Sequence, residues 1–222
     1  MRDTGQVPSA TTPWGLVVPV KRLPLAKTRL GPPDGRYDQA ARQALALAFA
    51  SDVVTAGLRC PVVASVVVVT DDERAAATLA ALGAQVVSDL PDAGHTAALE
   101  HGAAFARAQF PLAGVAAVSA DLPCLTAELL AAALALVADR AFAADTSGLG
   151  TTLLAAGPGA RLAPAYGPGS AERHRRSGAL ELIVAAAMRL DVDTPADLSL
   201  ALALGVGPAT AAVVAGLAAS AA

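Results

Sequence analysis

A run of eight residues, Val62-Val63-Ala64-Ser65-Val66-Val67-Val68-Val69, sets the terms for any fold of this chain. Its β-branched side chains favour a strand, and without polar alternation that strand must be covered on both faces. Such a strand belongs to a parallel sheet between two layers of helices. The rest of the chain supplies both parts. About a quarter of the 222 residues are alanine, which favours helix but contributes little buried area, so the core must come from Val and Leu.

Strands are predicted over Trp14–Val20, Val62–Val69, Ala84–Ser88 and Gly114–Ser119, separated by helices over Arg36–Ala56, Asp72–Leu82 and Thr96–Ala108. Gly83 ends the second helix, and Thr126 caps a fourth that runs to Ala138. The pattern then changes. Phe142–Ala144, Thr151–Ala155 and Met188–Val192 are short strand candidates, Ser170–Ala187 holds helical material, and Pro195–Leu204 starts with Pro in its first turn. The expectation is one α/β domain over residues 14–222, a mixed, mostly parallel sheet with helices on both faces. Residues 1–13 read as a loose leader without the apolar core of a signal peptide.

Composition removes several classes of function. Sixteen basic against nineteen acidic residues leave a net charge of −3, unlike a protein that coats nucleic acid or anionic membrane. Two cysteines, Cys60 and Cys124, are too few for a disulfide framework and lack zinc-ligand spacing, which fits a reducing cytoplasm. The stretch from Leu198 onward has no charge, but Gly205-Val206-Gly207-Pro208 divides it into pieces too short to span a bilayer. Two packed helices are expected there.

Ligands of such sheets sit beyond the carboxyl ends of the strands. After the first strand comes Lys21-Arg22, then Lys27-Thr28-Arg29; after the second, Thr70-Asp71-Asp72; after the fourth, Asp121. Four cations within nine residues suit a triphosphate, whose oxygens they neutralise, or else form a solvated basic loop. Asp191 and Asp193, if extended, share one face, and with Asp121 they make an all-oxygen site of the kind magnesium uses; Asp193 alone also reads as a helix cap. The loop Asp145-Thr146-Ser147-Gly148-Leu149-Gly150-Thr151-Thr152 could wrap an anion with backbone N–H groups. Gly167-Pro168-Gly169-Ser170 opens a helix, either as an anion site or as a plain N-cap, and His174 by itself reads as a surface residue.

Taken together, these segments resemble the 2-phospholactate/phosphoenolpyruvate guanylyltransferase family of coenzyme F-420 biosynthesis, in its actinobacterial form. The resemblance rests on Val20-Lys21-Arg22-Leu23 with Ala26-Lys27-Thr28-Arg29-Leu30, Asp121-Leu122-Pro123, and Arg173-His174-Arg175-Arg176-Ser177-Gly178-Ala179. It continues in Asp191-Val192-Asp193-Thr194-Pro195 and Leu204-Gly205-Val206-Gly207-Pro208. It implies a nucleotidyltransferase fold of the glycosyltransferase-A, Rossmann-like type. It also implies magnesium-dependent transfer of GMP from GTP to a three-carbon phosphorylated acid, phosphoenolpyruvate or 2-phospho-L-lactate. By the same resemblance the acceptor falls to Thr151, Gly167 and Ser170, and the nucleotide to Lys21, Lys27, Arg29 and Thr70. Mg2+ falls to Asp121, Asp191 and Asp193, with Asp121, Lys21 and Arg29 acting in catalysis. The chain departs from its relatives at Thr96 and Thr152, where many carry Asn.

Two other readings compete with it, and the sequence argues against both. Molybdenum-cofactor and sugar-phosphate nucleotidyltransferases carry a Leu-Ala-Gly-Gly loop after the first strand, where this chain has Val18-Pro19-Val20-Lys21. Leu204–Ala211 resembles the hairpin of helix-hairpin-helix DNA-binding modules, but no Lys or Arg follows Arg189 to supply the electrostatic part of DNA affinity.

Overall fold

The computed structural model describes residues 13–32, 37–89 and 94–220. Most of the expected leader lies outside them. The first half alternates strand and helix: β1 (Trp14–Pro19), α1 (Gln39–Arg59), β2 (Val63–Val69), α2 (Glu73–Ala81), β3 (Gln85–Val87), α3 (His95–Gln109) and β4 (Gly114–Val118). Four helices begin on side-chain caps: Asp38 accepts from Ala41 N–H, Asp72 from Ala75 N–H, Thr126 from Leu129 N–H at the head of α4 (Ala127–Ala135), and Thr194 from Asp197 N–H further on. The second half contributes β5 (Arg140–Ala144), β6 (Thr151–Ala156), α5 (Ser170–Arg176), β7 (Leu180–Glu181), α6 (Ala186–Arg189), α7 (Pro195–Leu204) and α8 (Pro208–Ser220).

The seven strands form one sheet in the order β3-β2-β1-β4-β6-β5-β7. Strands β3, β2, β1 and β4 are parallel; β6 runs against both β4 and β5, and β7 is parallel to β5. The valine run behaves as its chemistry requires. Val66 and Val68 face a core layer with α1, α2 and α4, while Val67 and Val69 face the layer built on α3 and α5. Gly102 lets α3 lie close on the sheet: a Cβ there would stand 2.6 Å from both Val17 Cγ1 and Val69 Cγ2.

The predicted strand over Met188–Val192 is not formed. Met188 lies in α6, and the following segment joins no ladder; its bonds to the rest of the chain include Thr146 N–H to Arg189 O at 2.9 Å and Val192 N–H to Asp121 O at 3.0 Å. The sheet edge is taken by β7, too short to leave a sequence pattern. Asp191 and Asp193 therefore do not sit at a strand end.

A third core cluster joins α1 and α7 through Leu45, Phe49, Leu198 and Ala201, with Val213 and Leu217 of α8 packed against it. Its polar clasp is Asp52, buried in α1, whose carboxylate accepts the N–H groups of Ala209 and Thr210 at 2.9 Å each. Gly207 N–H donates to Pro123 O at 2.8 Å, so the α7–α8 hairpin also braces the loop that follows β4. Among the described residues no helix is long and apolar enough to cross a membrane.

Candidate active site

Strand β1 pairs with β2 on one side and β4 on the other, so the connections leaving β1 and β4 turn in opposite directions and open a crevice at their carboxyl ends. A cavity of about 330 Å³ lies there, with Lys21, Lys27 and Arg29 on one side and Ser119, Asp121 and Asp193 among the other lining residues. A smaller cleft of about 180 Å³ shares Lys21 and His95 with it and extends to Asp71 and Gly94.

The basic loop is folded rather than loose. Val20 N–H pairs with Val69 O, and Leu23 N–H donates to the Asp72 carboxylate at 2.8 Å. Two 3-10 turns, Leu23–Leu25 and Thr28–Leu30, frame Lys27, whose backbone is left-handed at φ 54°. A non-glycine residue in that region costs about 1–2 kcal/mol. The side chain is 9% exposed, and its Nζ donates to Asp121 Oδ2 at 2.6 Å and Asp193 Oδ1 at 2.8 Å. Arg29 makes a further ion pair with Asp193.

The electrostatics follow from this packing. Burial alone would lower the Lys27 pKa, but Asp121 and Asp193 outweigh it and hold the ammonium above its ordinary value. Burial alone would raise Asp193, and Lys27, Arg29 and Lys21 reverse the sign, keeping that carboxyl below its usual range. Asp191 goes the other way: burial, then repulsion from Asp121 and Asp193, pushes it up to about 7. Asp121 Oδ1 is buried and has no hydrogen-bond partner among the described residues.

A second group of side chains lies beside this cavity. Thr151 Oγ1 stands 3.1 Å from Ser170 Oγ and 2.9 Å from His174 Nδ1. Ser170 N–H donates to Gly167 O, so the three residues expected at the acceptor are gathered in one place. Ser119, which lines the cavity, donates its hydroxyl to Thr151 O at 3.5 Å, and His95 packs its ring on Tyr166 at 4.8 Å. The acceptor group and the cation cavity are thus neighbours.

Several expectations are corrected. His174 is not on the surface: it is 0% exposed, between Tyr166 and Phe142. Ser170 is not an N-cap; Gly169, left-handed at φ 72°, takes that position. Part of the glycine loop expected to wrap an anion is already bonded within itself. Leu149 N–H and Ser147 Oγ donate to the Asp145 carboxylate, and Gly148 N–H to Asp145 O. Thr70 lines neither cavity; it is buried, and its hydroxyl accepts Asp72 N–H. Thr152 is turned inward and donates to Met188 O at 2.7 Å. In the α7–α8 hairpin the N–H groups of Gly207, Ala209 and Thr210 are already spent on Pro123 and Asp52, leaving none of the three for a DNA phosphate.

Three positions escaped sequence reasoning. His95 and Ser119 line the cavity, and His174 contacts Thr151. A signal for His174 existed: residues 170, 171 and 174 share one helix face by their spacing, and all three are buried.

Comparison with known proteins places these features in a wider set. Residues 48–182 match the model of the MobA-like NTP transferase domain. The chain is 55% identical to a phosphoenolpyruvate guanylyltransferase of Thermomonospora curvata, covering 91% of this chain and 89% of the relative. It is 56% identical to one of Streptomyces coelicolor, covering 92% and 97%. Among solved structures, a putative nucleotide-diphospho-sugar transferase from Desulfovibrio desulfuricans superimposes with a TM-score of 0.60 at 22% identity, covering 84% of this chain and 85% of the other. A nucleotidyl transferase from Methanothermobacter thermautotroptrophicus gives 0.61 at 17% identity, covering 87% and 97%. At that identity the structural likeness speaks for the fold alone.

Proposed function

The chain belongs to the phosphoenolpyruvate guanylyltransferase family, and from that premise we propose that it moves GMP from GTP to phosphoenolpyruvate or 2-phospho-L-lactate. Pyrophosphate is released, and the step belongs to coenzyme F-420 biosynthesis. The observation that carries this reading is the cavity of about 330 Å³ at the β1–β4 crevice, with Lys21, Lys27 and Arg29 facing Asp121 and Asp193.

In the transfer, an oxygen of the acceptor's phosphate forms a bond to the α-phosphorus of GTP. The bond from that phosphorus to the oxygen bridging to the β-phosphate breaks, and pyrophosphate leaves with the electron pair. The attacking oxygen is already anionic near neutral pH, so no strong base is needed. The obstacle is repulsion between two polyanions, and the chain answers it with fixed cations and alignment. Lys21 and Arg29 neutralise the triphosphate and the charge that develops on pyrophosphate. Thr151, Gly167 and Ser170 hold the acceptor beside them, with Ser119 at the border.

The carboxylates suit a hard divalent cation such as Mg2+. Asp121 keeps an unpartnered buried oxygen, and Asp121 and Asp193 already share one cationic group in Lys27 Nζ. Among the described residues no three ligating side chains converge on one point, which agrees with an ion that takes one or two carboxylates and completes its shell with water and phosphate. Its one or two carboxylates would be drawn from Asp121, Asp191 and Asp193, of which Asp121 and Asp193 line the cavity. When bound it supplies charge neutralisation and Lewis acidity at the transferred phosphoryl group. The buried, unpaired thiols of Cys60 and Cys124 support a reducing, cytoplasmic setting.

The test is to incubate the protein with Mg2+, GTP and each acid in turn and follow pyrophosphate release. Release that requires GTP and one of the two acids is the expected result. No release with either acid, under conditions where GTP binds, would overturn the assignment.

A further inference from the structure

We propose that His174 is a positioning residue: its fixed tautomer leaves the Thr151–Ser170 hydroxyl pair with one hydrogen-bond donor for an anionic oxygen of the acceptor substrate. The inference rests on the reading that Thr151, Gly167 and Ser170 bind the acceptor. It adds the group that gives their hydroxyls a direction.

The argument is a count of protons. Ala165 N–H donates to His174 Nε2 at 2.9 Å. A backbone amide cannot accept, so Nε2 is bare and the neutral ring carries its proton on Nδ1. Nδ1 lies 2.9 Å from Thr151 Oγ1 and donates to it. Thr151 and Ser170 then have two hydroxyl protons and one O···O contact of 3.1 Å between them. One proton fills that contact. The other cannot go to Nδ1, which is already a donor, and neither hydroxyl has another acceptor among the described residues. It is left for a ligand.

The opposite tautomer would reverse the chain. Thr151 would donate to Nδ1, Ser170 to Thr151, and no hydroxyl proton would remain for a ligand. The polarity is therefore set at the far end, by the Ala165 amide. That amide is itself pinned, because Arg173 Nε donates to Ala165 O at 2.9 Å and its Nη1 to Pro168 O at 2.5 Å. Tyr166 and Phe142 hold the ring at centroid distances of 5.3 and 5.9 Å. Burial, helped by the charges of Arg140 and Arg173, lowers the His174 pKa to about 4, which keeps the ring neutral at working pH. A donor fixed in advance is worth having for a carboxylate or phosphate oxygen, since no rearrangement is needed when the anion arrives.

Two measurements test this. The first is steady-state kinetics with both substrates. His174→Gln retains a polar group toward Ala165 but loses the donor at the Nδ1 position, and should raise the acceptor KM about tenfold while leaving the GTP KM within twofold. His174→Asn, whose amide nitrogen replaces Nδ1, should recover most of that loss. Thr151→Val should match His174→Gln, and combining the two should add little. The second uses the wild-type protein labelled with 15N on histidine, at pH 7. The His174 signals should show a protonated Nδ1 and a bare Nε2, with the Nδ1 resonance moving on addition of phosphoenolpyruvate. A bare Nδ1 would overturn the proposal whether or not the variants fold. So would equal increases in both KM values, or an Asn variant no better than Gln. Ser170→Ala separates this failure from a misplaced acceptor site. If it leaves the acceptor KM unchanged, the site is elsewhere; if it raises that KM and His174→Gln does not, the site stands and the relay falls.

Discussion

Lys27 and Asp191 show how one acidic cluster treats its members differently. The Lys27 side chain is buried but bridged by two carboxylates; Asp191 is half-buried and faces only like charge. Asp121 belongs to both stories, because its Oδ2 holds Lys27 while its Oδ1 has no partner among the described residues. Asp121→Asn should lower turnover by more than about a hundredfold, the scale of losing one preorganised electrostatic contact. It should change unfolding free energy by less than about 2 kcal/mol, since an amide oxygen can still accept from Lys27. Parallel kinetics and thermal unfolding check both halves, and a folded variant with near-normal turnover would remove Asp121 from the mechanism. The cluster also leaves a mark on pH dependence. His174 titrates at about 4 in the fold against 6.5 unfolded, so its contribution to stability is lost as pH falls from 6.5 toward 4. Asp191, at about 7 against 3.8, has the reverse sign and gains stability over the same descent. The two offset each other in the native chain. Relative to wild type, His174→Gln should therefore improve, and Asp191→Asn worsen, as urea unfolding is repeated from pH 7 down to 4.5.

Among the elements, Gly102 makes a test of packing against propensity. Alanine in a helix interior is worth about 1 kcal/mol over glycine. Here its Cβ would meet two methyl groups of buried β-branched residues at 2.6 Å, and overpacking of that kind costs about 1–3 kcal/mol. Gly102→Ala should therefore destabilise, and a rise in the urea midpoint would show that α3 can retreat from the sheet. The parallel half of the sheet was legible because its strands are apolar runs and its helices carry caps such as Asp72 and Thr126. The second half was not, for a physical reason. A short apolar run such as Met188–Val192 has no period long enough to distinguish strand from buried helix, and its path is set by bonds to distant residues, Thr146, Thr152 and Asp121 among them. His174 was hidden in the same way, among three arginines that read as a solvated face while its own side of α5 turned inward. That Asp121 and Asp193 meet the basic loop was readable from residue type and order, although the strand expected to carry Asp191 and Asp193 is not formed. Which amides and hydroxyls remain free was not, because that depends on partners far away in the chain.

On the scale of the whole molecule, the crevice between β1 and β4 collects loops from both halves of the sequence, and the C-terminal hairpin stands behind one of its walls. Cys124 donates to Ala201 O in α7, Gly207 N–H to Pro123 O, and Asp52 fastens the first turn of α8 to α1. Beyond that first turn α8 is mostly half-buried or exposed. A buttress fastened at one end transmits load to whatever it supports, and here that is the loop carrying Asp121. Ending the chain after Leu204 should then leave the seven-stranded sheet folded by circular dichroism, yet cut turnover severalfold although no residue of the cavity has been removed. Amide exchange would show the cause, as faster opening at Leu122 and Leu125 with the β2 amides unchanged; equal protection in both would mean the hairpin bears no load. Proteolytic nicking within α8 would accordingly disable the enzyme gradually, from a distance, before any of the sheet came apart.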